Sequence, residues 1–185
     1  MLLDLTNQFL IAMPTLDDPN FARTVTYVCA HNEGGAMGIV INRPLKLELG
    51  EVLSQMQLET ADPAVSSQIV YQGGPVHRDR GFIIHRPALD FGSTIKVSED
   101  LAISTSREIL NAISRGEGPA DTLVALGYAG WGAGQLEQEI KQNAWLSGPA
   151  CLDVIFHAPA ERRWEQAAAR MGVDLGLLSS DVGHA

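Results

Sequence analysis

Arginine and histidine side chains gather beside two strand ends of this 185-residue chain. One group is Gly73-Gly74-Pro75-Val76 followed by His77-Arg78-Asp79-Arg80. The other is Asn42-Arg43, ahead of Pro44. A guanidinium holds a carboxylate or phosphate through forked, charge-assisted hydrogen bonds, and paired glycines permit a tight turn behind it. Asn42, Arg43, Gly73, Gly74, His77, Arg78 and Arg80 are therefore the candidate surface for a ligand or partner. The plainer alternative is a salt-bridged loop, in which Asp79 neutralises a neighbouring arginine.

Nucleophilic chemistry has one candidate pair, Cys29 and His31. Two apart on a strand, they share a face at roughly 6.5–7 Å along the chain. A thiolate–imidazole pair works near hydrogen-bond distance, and no third member is visible. A buried cysteine beside a strand-end histidine accounts for both, so no catalytic residue is assigned. Metal and cofactor chemistry has no support either. His31, His77, His85, His157 and His184 show no ligand spacing, and Cys29 and Cys151 lie far apart.

Gly127, Tyr128, Gly130, Trp131, Gly132 and Gly134 form a glycine-aromatic corner between the apolar run Leu123–Leu126 and a helical pattern starting at Gln135. It matches neither the phosphate-loop nor the dinucleotide fingerprint. Glu137 and Glu139, in the first turns of that helix, would repel an anion. Tight packing of strand against helix is the reading: a structural corner.

The elements that must position these groups follow from periodicity. Strands are expected at Phe9–Met13, Arg23–His31, Met37–Asn42, Gln68–Tyr71, Gly81–His85, Thr94–Val97, Leu101–Ile103, Leu123–Leu126 and Cys151–Phe156. On the second, Val25, Tyr27 and Cys29 face one way. Asn32-Glu-Gly-Gly35 joins it to the third as a hairpin. Helices are expected at Leu49–Met56, from Thr105 with a capping box to Glu108, from Gln135 to Leu146, and from Pro159 to Gly172. Glu59–Ser67 reads as a loop. Short strands in hairpins with inserted helices make the chain α+β: one domain over residues 1–185, built on a curved mixed sheet, either open or closed into a small barrel, surrounded by helices.

A net charge of −9 disfavours nucleic acid. No apolar run reaches the ~18 residues of a membrane span, and Asp4 stands where a secretion signal would carry basic residues. Both cysteines sit in apolar runs and are expected buried and reduced, which fits a cytoplasmic protein.

Five ordered motifs carry a resemblance. They are Phe-Leu-Ile-Ala-Met-Pro (9–14), Tyr-Val-Cys-Ala-His-Asn (27–32), Gly-Ala-Met-Gly-Ile-Val-Ile-Asn-Arg-Pro (35–44), Gly-Gly-Pro-Val (73–76) and Gly-Tyr-Ala-Gly-Trp-Gly-Ala-Gly-Gln-Leu-Glu (127–137). Together they resemble the YqgE/AlgH family of small bacterial proteins, from about Phe9 to Phe156. The resemblance implies a barrel-like α+β fold and a regulatory label without a reaction. Ala30 departs from the acidic residue expected between the cysteine and the histidine; if that acid orients the histidine in relatives, this chain lacks it.

Three functions are compatible with these features. The first is a non-catalytic binding or regulatory protein with a protein or small-molecule partner. The second is a hydrolase or transferase acting on a phosphorylated or carboxylated metabolite. The third is a DNA-binding regulator, which the net charge disfavours. A pocket joining His77 or His31 to Arg43 or Arg80 would favour the enzyme; a flat, wet arginine loop would favour binding alone.

Overall fold

The chain builds one ten-stranded sheet with helices on both faces. The structure, a computed structural model, describes residues 3–178, so His184 lies outside the described residues. In chain order the elements are β1 (Gln8–Ala12), β2 (Val25–Asn32), β3 (Gly35–Val40), β4 (Pro44–Glu48), α1 (Leu49–Gln55), α2 (Pro63–Ser66), β5 (Ile69–Gln72), β6 (Val76–Arg86), β7 (Thr94–Lys96) and β8 (Ala102–Ser104). There follow α3 (Arg107–Ser114), β9 (Asp121–Gly132), α4 (Gln135–Lys141), β10 (Trp145–Pro149), α5 (Leu152–Phe156), a 3-10 turn (Ala160–Arg162) and α6 (Arg163–Ala169).

The strand order is β10-β1-β2-β3-β9-β6-β8-β7, with β5 lying parallel to β9 and antiparallel to β4. β9 is the longest strand and meets β3, β5 and β6, so it is the spine of the sheet. The sheet is mixed, as expected, and curls. It stays open between β10 and β7, a half-barrel rather than a closed barrel.

Alternation along the strands sorts the core. Phe9, Tyr27, Ile39, Phe82, Ile103 and Leu123 line the inner face, where α5 and α6 add Val154, Ile155 and Trp164. Trp164 also donates its indole N–H to the Ala12 carbonyl at 2.8 Å, tying α6 to β1. On the outer face α1 and α3 cover Val70, Ile83 and Val124. α4 covers Val28, Ala129 and the two tryptophans Trp131 and Trp145. These core-forming elements are held because their apolar faces bury against one another.

Several elements differ from the sequence expectation. Cys151–Phe156 is not a strand: after Pro149 ends β10, Cys151 caps α5, and Val154 and Ile155 pack inward from a helix. A six-residue apolar run cannot distinguish the two by periodicity alone. The helix at Gln135 stops at Lys141, because Asn143 adopts φ +60° and turns the chain into β10. A further short strand, β4, opens at Pro44, a place proline tolerates as first residue of a strand. Asp62 accepts the Ala64 N–H and starts the single turn α2 within the expected loop. The capping box at Thr105 does not form. Ser106 takes the cap position and its hydroxyl donates to the Phe91 carbonyl. The expected strand at Gly81 begins five residues earlier, so His77–Arg80 belong to β6.

Candidate functional site

Two irregularities on β6 and β9 shape the most suggestive concave surface. Val76 pairs with Tyr128 and Gly81 with Leu126, so four residues of β6, His77–Arg80, stand opposite Gly127 alone. Gly127 sits at φ +80°, open to glycine without a steric penalty. The alternation of β9 shifts at this residue. Leu123 and Ala125 face inward before it and Tyr128 faces inward after it, while Ala129 and Trp131 face outward. A bulge of this kind re-aims a side chain; here it delivers Tyr128 to the inner face.

That face is left open as a cleft of about 260 Å³. Its walls are Met37 of β3, Phe82 of β6, Ile95 of β7, Ile103 of β8 and Tyr128. Its polar groups come from His77, Arg80, Ser93 and Thr105. The Tyr128 and Phe82 rings meet edge to face at 5.5 Å, and the His77 ring lies 5.9 Å from Tyr128. The Arg80 guanidinium stacks over the Phe82 ring at 5.6 Å. Such a cation–π contact orients the charge while leaving its hydrogen-bond donors available. Among the described residues, Arg80 enters no ion pair, in contrast to Arg86 with Asp121 and Arg115 with Glu117. His77 and Ser93 are non-glycine residues with positive φ, at +48° and +45°. Conformations of that kind cluster at binding sites.

The other residues singled out in the sequence are placed elsewhere. Arg78 lines a separate cavity with Leu45, Gln72 and Leu126. Arg43 donates to the carbonyls of Pro19, Asn20 and Ala22 at 2.8, 2.8 and 3.0 Å, clamping the β1–β2 connection. Asn42 holds the same connection by accepting the Val25 N–H and donating to the Arg23 carbonyl. Gly73 and Gly74 are buried where β5 leaves the sheet. A Cβ on Gly74 would sit 2.1 Å from the Tyr128 carbonyl carbon. These two glycines thus fix the backbone against the Gly127 bulge. Within the glycine-aromatic stretch, Gly134 caps α4 in a left-handed conformation and Gly132 pairs with Gly35. Gly130 is exposed, and a Cβ there would meet only the Tyr128 ring at 3.4 Å.

Both buried histidines are fully engaged. Nδ1 of His31 accepts the Leu5 N–H at 3.0 Å, so Nε2–H donates to Glu137 at 3.1 Å. A backbone hydrogen bond first, and His31 second, hold the Glu137 carboxyl below its ordinary range. The lone pair a general base would need is therefore occupied. Cys29 and His31 do not share a face: β2 carries an irregularity between Val28 and Ala30, which sends Cys29 into the inner core and His31 toward Leu5 and α4. The Leu5 amide and Glu137 orient this histidine, where an acid at position 30 was the expected device. His85 accepts from the Ser104 hydroxyl through Nε2 at 2.7 Å and donates from Nδ1 to the Pro87 carbonyl at 3.0 Å. This Ser–His contact is fully buried, with no path for a substrate. Glu139 accepts from both Trp131 and Trp145 indoles, at 3.1 and 2.9 Å. Cys29 is buried and Cys151 only partly so; both thiols are free.

An AlgH-like family model matches residues 9–176. The chain belongs to the AlgH-like family. A UPF0301 protein of Thioalkalivibrio sulfidiphilus is 60% identical over 180 residues, covering 97% of this chain and 96% of the relative. A UPF0301 protein of Nitrosococcus oceani is 54% identical, with 97% and 96% covered. The solution structure of the AlgH protein from Pseudomonas aeruginosa superposes with a TM-score of 0.80 at 52% identity, over 97% of this chain and 95% of that one. A crystal structure from Corynebacterium diphtheriae shares the fold at 22% identity, with a TM-score of 0.75 over 95% and 91%. No described helix of this AlgH-like chain is long and apolar enough to cross a membrane.

Sequence reasoning singled out His77 and Arg80 of the cleft, and assigned Tyr128 to packing. It missed Met37, Phe82, Ser93, Ile95, Ile103 and Thr105. Phe82 was within reach, because the residue two before it on β6 is Arg80 and side chains two apart on a strand share a face. The remaining wall comes from strands whose neighbours only the topology defines.

Proposed function

We propose that this chain is a non-catalytic binding protein of the cytoplasm, with a regulatory output, that holds a small molecule in the cleft of the half-barrel. The observation that carries the reading is the Arg80 guanidinium, without an ion-pair partner among the described residues and stacked on Phe82 at the rim of a cleft with aliphatic and aromatic walls. Ligand sites are typically concave and apolar with a few converging polar groups, and the mouths of barrels are a preferred location. The two buried histidines, each bonded through both ring nitrogens, support a site without acid–base machinery. The test is thermal unfolding against a panel of neutral, cationic and anionic small molecules, since a ligand bound only to the native state raises the melting temperature by mass action. The reading expects stabilisation in the wild type that is lost when Ile103→Trp fills the cleft. Equal stabilisation of that variant would move the site elsewhere.

A second reading is favoured by the same cleft, because it joins His77 to Arg80. A hydrolase or transferase would use Arg80 to hold the substrate and His77 for proton transfer. Against it, among the described residues His77 has no hydrogen-bonded partner to fix its tautomer, and Ser93 and Thr105 bond each other through the backbone rather than a base. Turnover of phosphate or carboxylate esters that disappears in His77→Gln would establish the enzyme. Binding without turnover would exclude it.

A further inference from the structure

We infer that the ligand of this cleft is a small apolar monocarboxylate, its carboxylate forked by Arg80 and its body lying on Tyr128, Phe82 and Ile103. This rests on the cleft reading above and adds the chemical class. The charge is set first. One guanidinium reaches the cleft, Arg78 is directed into a different cavity, and Asp79 stands beside both on the same segment. The chain as a whole carries −9. A phosphate dianion would meet a single cation in a negative field, whereas a carboxylate is matched by one planar fork.

The body follows from the walls. Met37, Ile95 and Ile103 are aliphatic, and Phe82 and Tyr128 present an edge-to-face aromatic corner. Such surfaces reward apolar contact and offer nothing to a polyhydroxylated sugar except the Ser93 and Thr105 hydroxyls at one side. Size is the last constraint. A volume of about 260 Å³ is room for about nine waters at their share of liquid volume, so the ligand has roughly ten non-hydrogen atoms. That is smaller than the drug-sized molecules typical pockets enclose.

Arg80 also explains how the site is kept ready. Stacking over Phe82 desolvates one face of the guanidinium and limits its rotamers, so less freedom is lost when the fork engages. The His77 backbone, at φ +48°, holds the irregular segment in the shape that places Arg80 there.

The experiment uses amide-labelled protein titrated with phenylacetate, phenyl phosphate and 2-phenylethanol, in the wild type and in Arg80→Ala. Arg80 is exposed, so the variant folds, and a matched urea midpoint checks this. Phenylacetate is expected to shift the Phe82, Ile103 and Tyr128 amides. Its affinity should exceed that of 2-phenylethanol about tenfold, the ratio a solvent-accessible charge-assisted hydrogen bond supports. Arg80→Ala should remove that advantage and leave the alcohol unchanged. If acid and alcohol bind alike, or Arg80→Ala changes nothing, the carboxylate inference is overturned while the cleft reading stands. Phenyl phosphate binding more tightly than phenylacetate overturns the assignment of the anion. If no probe shifts the cleft amides at millimolar concentration, the inference and the cleft reading fall together.

Discussion

Replacing Gly127 with alanine tests the device that aims Tyr128 into the cleft. At φ +80° an L residue occupies left-handed backbone, at a cost of roughly 1–2 kcal/mol. The added Cβ would also lie 2.4 Å from the Gly74 carbonyl oxygen and 3.2 Å from that of Val76, both backbone atoms with no rotamer to change. Forcing volume into so close an approach costs about 1–3 kcal/mol. Together these give a loss of about 2–5 kcal/mol, a large share of the roughly 5–15 kcal/mol that holds a domain folded. Gly130→Ala is the control on the same strand. Its Cβ meets only the Tyr128 ring in ordinary contact, and glycine within a strand costs roughly 0.5–1 kcal/mol relative to alanine, so the variant should match or slightly exceed the wild type. Urea unfolding with a slope of about 2 kcal/mol per molar, within the usual range, should put the Gly127→Ala midpoint about 1–2.5 M below wild type. Equal midpoints for the two variants would refute the bulge as the controlling feature. So would a Gly127→Ala protein of native stability.

Three further outcomes follow from the buried polar groups. Burial holds the His85 imidazole below its ordinary value of 6.5, against a smaller opposing effect of its bond to Pro87. The unfolded chain therefore takes up a proton that the folded one refuses. His85's contribution to stability is full above pH 6.5 and is lost as pH falls below it. Its ring protons, followed by NMR, should titrate below pH 6.5, and titration at or above 6.5 would contradict this. Glu139→Ala leaves two indole N–H groups without their acceptor, and should cost about 1–3 kcal/mol in urea unfolding. A change under half a kcal/mol would show that water replaces the carboxylate. Burial pushes the Cys29 thiol up to about 12, so it should react with thiol reagents only as fast as the protein unfolds, after the half-buried Cys151. Rapid labelling of Cys29 in native protein would disprove its burial.

Local pattern carried much of the fold. The β2–β3 hairpin, the inward alternation of Val25, Tyr27 and Cys29, and the apolar faces of α1 and α3 follow from periodicity that tertiary packing left intact. The misread elements are those whose state is set by contacts remote in sequence. Leu152–Phe156 is helical because Val154 and Ile155 find the inner face of strands far upstream. Trp145–Pro149 is a strand because β1 offers an edge. The site was legible only in part, for the same reason. His77 and Arg80 announce themselves by type, but their cleft exists because β7, β8 and β3 bring Ile95, Ile103 and Met37 to one face. The sequence has no period for a bulge either. Gly127 gives the permission, and Gly73 and Gly74 packing against it supply the reason.

The most direct measurement is a methyl-resolved NMR titration with phenylacetate, because a second cavity competes for the role. That cavity, about 400 Å³, is lined by Val65, Ile113 and Phe156 together with Asp62 and Asp121. The Met37, Ile95 and Ile103 methyls report on the proposed cleft, and those of Val65 and Ile113 on the alternative. The account predicts saturable shifts in the first set, with the second unmoved. Shifts confined to Val65 and Ile113 would contradict it.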